Sequence, residues 1–411
     1  MITTTTIQNG NLLSRGMSAV LVAQFFSALA DNALLFAAIA MLKFMHAPDW
    51  QMPMLQEFFA IAFIVLAPFV GPFADSWPKG RVMLAANAMK FAGAIAMLLG
   101  LHPLLAYNLV GLGAAAYSPA KYCILGELVG ADKLIKANSM MEGSTIVAIL
   151  LGAVLGGMLA DWSVNAALAG VATCYVIAGL ANLLIPKLPA AHPLTTFSPI
   201  ALVKDFWVAL IVLVKNPDAR FSMLGTSVFW GSGSTLRFLL VAWVPVALLI
   251  ADNGTAANLS GVVAIGIALG AAAAAKFVNL KTINRALPAG ILIGLLIPVF
   301  AHVTSLPMAV ILLVLIGACG GFYVVPLNAL LQERGHETVG AGHAIAIQNV
   351  FENFAMLIMV GLYTLMVKVG MPVVTSASLF GLVVFFAIGT LAWLRVRGEK
   401  AAAGLICEAN E

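Results

Sequence analysis

Long runs of apolar residues, separated by short polar segments, occupy most of the chain. Proline, glycine and charged residues divide these runs into twelve spans. Because about 20 apolar residues are enough to cross a bilayer as a helix, each span is predicted to be a transmembrane helix. The predicted spans cover residues 17–45, 54–74, 82–101, 103–127, 138–160, 163–186, 221–250, 259–277, 286–303, 306–331, 341–368 and 371–394.

One polar connection is much longer than the others and divides the spans into two groups of six. It covers residues 187–220 and begins with a proline-rich stretch. Its second part, FSPIALVKDFWVALIVLVK, is predicted to form an amphipathic helix at the membrane interface. The fold is therefore predicted to be all-α, with six-helix halves at residues 1–186 and 221–397, a cytoplasmic linker over 187–220, and a disordered tail over 398–411.

Composition and charge place the chain in a membrane. Of its 411 residues, 62% are hydrophobic and 9% are charged, whereas soluble proteins carry roughly 25% charged residues. If the N-terminus is cytoplasmic, sixteen Lys and Arg residues lie in the inner loops and tails, and only Lys43 and Lys368 lie outside. This asymmetry predicts a multi-pass protein with both termini in the cytoplasm.

The two groups of six spans share sequence features. Span four contains GLGAAAYSPAKYCILGEL and span ten contains GACGGFYVVPLNALLQER, each with small residues, a tyrosine, a proline and an inner glutamate. Asp31 in span one and Arg237 in span seven lie at matching depths with opposite charge. Because repeats of this kind mark secondary transporters, whose sites lie near the midplane, two pseudo-symmetric halves are predicted.

The first span carries a carboxylate near its centre. Asp31 lies in SALADNALLF, and Gln24 and Ser27 precede it at spacings that place all three on one helix face. A charge in the middle of a membrane is costly and is a functional hypothesis by default, so this face is predicted to bind substrate. The alternative is that Asp31 only makes a structural ion pair or hydrogen bond with another helix.

Two cations are candidates for binding an anionic group. Arg237, in FWGSGSTLRFLL, has a planar guanidinium that suits phosphate or carboxylate; the alternative is a permanent ion pair with Asp31. Lys121 follows Pro119, which is predicted to kink its helix, and it either points inward or snorkels to an interface. Lys90, in span three, is predicted to be peripheral.

Two glutamates lie among amide side chains in spans five and eleven. Glu142 is four residues from Asn138, and Glu352 is four residues from Gln348 and close to Asn349. These groups can bind a proton, a sodium ion or an ammonium, or they can hold the two halves together by hydrogen bonds. The sequence leaves these alternatives open, including coupling to Na⁺ or H⁺. No other cofactor and no metal site is predicted.

The connection between spans two and three, GPFADSWPKGRVML, contains candidate gating residues. Gly71, Asp75, Gly80 and Arg81 resemble the loop motif of the major facilitator superfamily, with extra residues between the Asp and the Gly-Arg pair. In that family the loop braces the inner gate, and the Asp lies at a helix end. The resemblance therefore implies a gating role for Asp75 and Arg81.

Segments along nearly the whole chain resemble the bacterial lysophospholipid transporter family, a branch of that superfamily: VAQFFSALADNALLFA, APFVGPFADSWPKGRVM, GAAAYSPAKYCILGEL, FWGSGSTLRFLLVAWVPVAL, and GGFYVVPLNALLQERG followed by VGAGHAIAIQN. The resemblance implies transport of lysophospholipids, chiefly lysophosphatidylethanolamine, from the outer to the inner leaflet of the bacterial inner membrane. It implies a monomer with a headgroup site at Asp31, Lys121 and Arg237. An acyltransferase/acyl-ACP synthetase that re-acylates the lipid is the implied functional partner.

The acyl chain of such a lipid needs an apolar path through the protein. An adaptable wall of Met and Phe side chains is one hypothesis, and ordinary core packing is the alternative for each of these residues. The helices that bound the two halves, spans two with eleven and five with eight, are expected to part and admit lipid sideways. Alternating access with lateral lipid access is therefore the predicted mechanism.

Three other classes of protein compete with this prediction. A proton-coupled exporter of drugs or amphiphilic solutes would use Asp31, Glu142 and Glu352 as proton carriers. A lipid acyltransferase is disfavoured, because no histidine is followed by Asp at His-x4-Asp spacing and there is no nucleophile-elbow pattern. A receptor or scaffold has no use for buried charges, and nucleic acid binding is disfavoured because no basic run with interleaved aromatics occurs.

Overall fold

The computed structural model describes residues 12–47, 51–186, 188, 198–250 and 253–408, without the side chains of 52–53, 253–254, 257 and 399–408. These residues form thirteen α-helices. They are α1 Arg15–Phe44, α2 Gln51–Ser76, α3 Lys79–Leu98, α4 Pro103–Val129, α5 Leu134–Trp162, α6 Val164–Leu183, α7 Pro199–Lys215, α8 Pro217–Trp243, α9 Asn253–Phe277, α10 Leu287–Ala301, α11 Leu306–Glu337, α12 Ala341–Lys368 and α13 Val373–Glu408.

Twelve of these helices, all except α7, match the twelve predicted spans one for one. Eleven of the described helices are long and apolar enough to cross a membrane by length and composition. The remaining span, α4, has 27 residues, which at 1.5 Å per residue reaches about 40 Å. Its tyrosines, Asn108 and Lys121 add polar groups to this helix.

Local sequence signals explain where several helices begin and end. The Ser14 hydroxyl accepts a hydrogen bond from the backbone N–H of Met17 and caps α1. The Asn216 side chain caps α8 in the same way, and Pro217 occupies its first turn. Gly130, with φ of 73°, follows the last residue of α4 and permits the reversal into α5.

The amphipathic helix predicted in the long connection is present as α7. It buries Leu202 and Phe206 on one face and exposes Ile200, Val203 and Trp207 on the other. An exposed apolar face is what a helix at a membrane interface presents to lipid. Residues 187 and 189–197 of the predicted linker, including its proline-rich start, lie outside the described residues.

The C-terminal end of the chain differs from the prediction. A disordered tail is expected from residue 398, but the backbone of 398–408 continues α13 as a helix. The stretch GEKAAAGLICE contains three consecutive alanines and a lysine, which are good helix formers, so extending a helix that already exists costs little. Residues 409–411 of the predicted tail lie outside the described part of the chain.

The chain divides into two compact units. Unit 1 comprises Met1–Ile211 and Gln332–Val350, and unit 2 comprises Val212–Leu331 and Phe351–Glu411. The predicted halves, 1–186 and 221–397, therefore differ from the units mainly at 332–350. This segment contains the end of α11 and the start of α12, and it groups with unit 1.

Unit 1 is built around α1, which contacts α4, α5 and α6. Small residues let the helices approach closely. Gly156 of α5 lies against α1, where an added Cβ would be 2.5 Å from the Cα atom of Ala33. Gly152, one turn earlier, lies equally close to the carbonyl oxygen of Leu29. The position of α1 relative to α5 therefore depends on these two glycines.

In unit 2, glycines likewise allow α9 and α11 to approach closely. Gly266 and Gly270 on α9 face Gly317 and Gly321 on α11, each pair separated by four residues. A Cβ at Gly270 would overlap the carbonyl oxygen of Ala318 on the other helix. These reciprocal contacts are the close crossing that small residues four apart permit in membranes.

Replacement of Gly156 by Val is expected to destabilise unit 1, because the new side chain would collide with backbone atoms of α1. Overpacking of this kind costs about 1–3 kcal/mol. Thermal unfolding of the purified protein in detergent measures the effect. Gly157→Val is the matched control, since no atom outside the local backbone of α5 lies within 4 Å of the Cβ position at Gly157. Equal losses of stability in the two variants would contradict the packing assignment.

Candidate functional site

A buried ion pair joins α1 to α3 in unit 1. The Nζ atom of Lys90 lies 2.7 Å from Oδ2 of Asp31. The Lys90 side chain is 2% exposed, and the Asp31 side chain is 20% exposed. The other carboxylate oxygen of Asp31 accepts a hydrogen bond from the Tyr175 hydroxyl of α6 at 2.7 Å. Neighbouring helices therefore fix the Asp31 carboxylate from two sides.

Lys90 has further contacts besides Asp31. Its Nζ donates to Ser27 Oγ at 3.0 Å, and Ser27 donates in turn to Asn87 Oδ1 at 2.8 Å. The Tyr117 ring of α4 has its centroid 4.8 Å from Nζ, where the aromatic face attracts a cation. Four helices thus contribute to one polar group, which we call the Asp31 cluster: Ser27, Asp31, Asn87, Lys90, Tyr117 and Tyr175.

Lys90 lies in the interior of unit 1 and not at its periphery. The prediction of a peripheral lysine is wrong, because Lys90 is 1% exposed and α3 packs against both α4 and α6. A signal for this was present in the sequence. Asn87 and Lys90 lie about one helical turn apart on α3, and Ser27 and Asp31 lie about one turn apart on α1. Each pair therefore forms a polar face on its helix, and two such faces can pack against each other.

A second polar group lies on α4 and α5 of unit 1. The hydroxyl of Tyr122 donates a 2.7 Å hydrogen bond to Oε1 of Glu142, which is 5% exposed. The Nζ atom of Lys121 lies 4.7 Å from the centroid of the Tyr122 ring. Two of the predicted site residues, Lys121 and Glu142, therefore meet at one tyrosine.

Amide side chains make other contacts within unit 1. Gln24 donates to the Thr145 hydroxyl of α5 at 3.0 Å. Asn138 and Gln332 exchange two hydrogen bonds, of 3.1 and 2.8 Å, between their side-chain amides. These contacts match the alternative in which polar residues hold helices together. Of the predicted site residues on α1, Ser27 and Asp31 therefore meet in one cluster, whereas Gln24 bonds to α5.

Asn349, at the end of the α12 segment that belongs to unit 1, also contacts a neighbouring helix. Its side chain donates to the Ser118 hydroxyl of α4 at 3.1 Å, in the turn that precedes Lys121. Among the described residues, no group of three or more His, Cys, Asp or Glu side chains is placed to hold a metal ion.

Two predicted site residues, Arg237 and Glu352, belong to unit 2. Arg237 is an exposed residue of α8, and Trp230 and Ser234 on the same face are half-buried. Glu352 of α12 is 9% exposed. One sequence hypothesis pairs Arg237 with Asp31, but the ion-pair partner found for Asp31 is Lys90.

The predicted gating residue Asp75 lies near the C-terminal end of α2, against the first turn of α12. Its carboxylate accepts hydrogen bonds from the backbone N–H groups of Gly342 at 2.9 Å and His343 at 3.3 Å. The Nδ1 atom of His343 lies 3.2 Å from the same carboxylate. A negative charge at a helix N-terminus is favourable because of the helix dipole, so Asp75 caps α12.

Small residues make this cap possible, and the second gating candidate lies apart from it. A Cβ at Gly71 would be 2.9 Å from the Cα atom of His343, so α2 and α12 touch through backbone atoms. Arg81, by contrast, is an exposed residue in the first turn of α3. Of the two predicted gating residues, Asp75 thus lies at a buried helix end and Arg81 at the surface.

Comparisons with known proteins identify similar sequences and folds. A family model described as the Major Facilitator Superfamily matches residues 20–360. A protein named lysophospholipid transporter LplT from Yersinia enterocolitica serotype O:8 / biotype 1B is 59% identical over 363 residues, or 88% of this chain and 90% of the relative. Its namesake from Yersinia pestis strain Pestoides F is 60% identical over 363 residues, or 88% of this chain and 89% of the relative.

Solved structures of distant transporters share the fold. The transporter FucP in its outward conformation superposes with a TM-score of 0.68 at 14% identity, over 92% of this chain and 98% of FucP. A bacterial homologue of the iron transporter ferroportin, in its outward-facing state, gives a TM-score of 0.72 at 14% identity, over 93% and 99%. At such low identity the likeness concerns the fold alone, and it agrees with the predicted twelve-helix architecture.

Replacement of Asp75 by Ala is expected to lower stability, because it leaves buried N–H groups of Gly342 and His343 without their acceptor. Loss of a helix cap of this kind costs about 1–2 kcal/mol. Thermal unfolding of the purified protein, followed by intrinsic fluorescence, measures the loss. Asp161→Ala, at an exposed position near the end of α5, is the control. A fall in unfolding temperature no larger than that of the control would contradict the capping role.

Proposed function

This chain belongs to the lysophospholipid transporter family of the major facilitator superfamily, and from that membership we propose that it transports lysophospholipids across the bacterial inner membrane. The observation that carries the proposal is 59% identity over 88% of the chain to a relative of that name. The substrate proposed to be preferred is lysophosphatidylethanolamine, which carries a phosphate, an ammonium and one acyl chain.

The proposed headgroup site contains groups of both charges. Asp31 binds the ammonium, because its carboxylate is partly exposed and a carboxylate offers about four lone-pair positions, of which Lys90 and Tyr175 occupy two. Lys121 and Arg237 bind the phosphate, for which a guanidinium has the matching planar geometry.

Polar residues around these charges are proposed to complete the site. Gln24 and Ser27 lie on the same helix as Asp31, and Glu142 shares Tyr122 with Lys121. Asn349 bonds to α4 close to Lys121, and Glu352 follows it on α12. Their role in this proposal is to orient the headgroup through hydrogen bonds.

The proposed direction is from the outer to the inner leaflet, by alternating access with lateral access of the lipid from the bilayer. The Asp75 cap on α12 supports a gating role for that residue. When α2 and α12 separate, the hydrogen bonds of the carboxylate to Gly342 and His343 would break together. Arg81, an exposed residue six positions after Asp75, is proposed to take part in the same gating role. Both termini are proposed to be cytoplasmic, and an acyltransferase/acyl-ACP synthetase is proposed to consume the product.

A second candidate function is proton-coupled export of drugs or amphiphilic solutes. The buried carboxylate of Glu142, with its 2.7 Å hydrogen bond from Tyr122, favours it, because a buried carboxylate can carry a proton across a membrane. The family membership gives more weight to lysophospholipid transport.

Inward flipping of fluorescently labelled lysophosphatidylethanolamine in proteoliposomes tests the proposed function. Wild-type protein is expected to flip the lipid, and Arg237→Ala is expected to lose roughly tenfold or more, the equivalent of one lost charge-assisted hydrogen bond. Arg285→Ala is the control, because Arg285 is exposed in unit 2 and its guanidinium contacts only the Phe277 carbonyl among the contacts described. Folded wild-type protein that flips no lipid would refute the proposal.

Dissipation of the proton gradient separates the two candidate functions. A protonophore added to proteoliposomes across which a proton gradient has been imposed is expected to leave lysophospholipid flipping within about twofold of its untreated rate, if flipping is facilitated and not coupled to protons. A drug exporter would instead lose its transport. Strict dependence of flipping on the proton gradient would contradict facilitated flipping and assign a proton-carrying role to Glu142 or Glu352.

A further inference from the structure

Lys90 is a buried cation that the proposed headgroup site does not use. Its side chain is 2% exposed, while the Asp31 side chain with which it pairs is 20% exposed. The ammonium of Lys90 is enclosed by Asp31, Ser27 and the Tyr117 ring. The Asp31 carboxylate is therefore partly accessible to a ligand, whereas the Lys90 ammonium is buried behind it.

The charges of this pair sum to zero without any substrate, because one carboxylate faces one ammonium. A lysophospholipid whose headgroup carries an ammonium is a neutral zwitterion, and one with a glycerol headgroup has a net negative charge. An unpaired Asp31 carboxylate in a weakly polar site would attract the ammonium of the zwitterionic lipid and repel the anionic lipid. The paired Asp31 still has free lone pairs for an ammonium or a hydroxyl donor.

We infer that Lys90 is a specificity-determining counter-ion, which neutralises Asp31 so that the site accepts lysophospholipids both with and without a headgroup ammonium. This inference rests on the proposed function. Lys90 acts through Asp31 and is thus a positioning residue that does not touch the lipid. Its contribution is an electrostatic one, so the charge at position 90 matters more than the shape of the side chain.

Removal of either charge is expected to change selectivity in opposite directions. In Lys90→Met the uncompensated carboxylate disfavours lysophosphatidylglycerol, so the ratio of lysophosphatidylethanolamine to lysophosphatidylglycerol transport rises about tenfold. In Asp31→Asn the remaining ammonium of Lys90 repels the lipid ammonium, so the ratio falls below that of wild type. The double variant, which lacks both charges, is expected to return towards the wild-type ratio, and Lys90→Arg to keep it within about twofold.

The experiment measures flipping of both labelled lipids in proteoliposomes under identical buffer conditions. Lys79→Met is the matched control. Lys79 is also 1% exposed and pairs with a carboxylate, Glu127, at 3.2 Å, but it lies eleven residues earlier on α3, about 16 Å from Lys90 along the helix axis. Loss of this pair is expected to lower both transport rates equally and leave the ratio unchanged.

The outcomes separate the inference from the proposed function. Opposite shifts of the ratio in the two single variants, with compensation in the double variant, support it. An unchanged ratio in Lys90→Met, with both rates lowered as in Lys79→Met, would show a purely structural role and overturn it. If Lys90→Met does not accumulate in membranes, comparison of the double variant with Asp31→Asn decides the question, because equal ratios in these two variants would overturn the inference. Wild-type protein that transports neither lipid would instead refute the proposed function.

Discussion

The cost of holding a charge inside a membrane-spanning helix governs the architecture of unit 1. The effective penalty for removing each ion from water is several kcal/mol, and only a close partner with further hydrogen bonds offsets it. The Asp31 cluster meets this requirement with one ion pair of 2.7 Å, a Tyr175 hydroxyl that donates to the carboxylate, a Ser27 hydroxyl that accepts from the ammonium, and an aromatic face over the cation. Because its members come from α1, α3, α4 and α6, the charge of Asp31 is satisfied only when these helices pack together.

Close packing of small residues brings the helices within reach of such contacts. In a bilayer, lipid tails are as apolar as leucine side chains, so helices associate through shape and hydrogen bonds. Gly152 and Gly156 let α1 and α5 touch along their backbones, and the same helix pair carries the hydrogen bond between Gln24 and Thr145. In unit 2, the glycines of α9 and α11 produce an equally close crossing. The close approach of α1 and α5 thus accompanies the hydrogen bond between them.

The contacts of residues 332–350 explain why this segment groups with unit 1. Asn138 and Gln332 exchange two side-chain hydrogen bonds, and Asp75 caps the first turn of α12. Each contact satisfies buried polar groups that lipid cannot satisfy.

The sequence by itself determined the elements of this protein, and the tertiary structure decided their partners. Apolar runs and helical spacing are local properties of the sequence, so they are sufficient to locate twelve spans, the amphipathic α7 and the shared face of Ser27 and Asp31. The orientation of the termini stays a prediction from charge asymmetry. Helix pairing depends on contacts between residues far apart in the chain, which periodicity does not encode. For that reason Lys90 is predicted from the sequence to be peripheral, whereas the packing of α3 against α4 and α6 makes it the buried partner of Asp31.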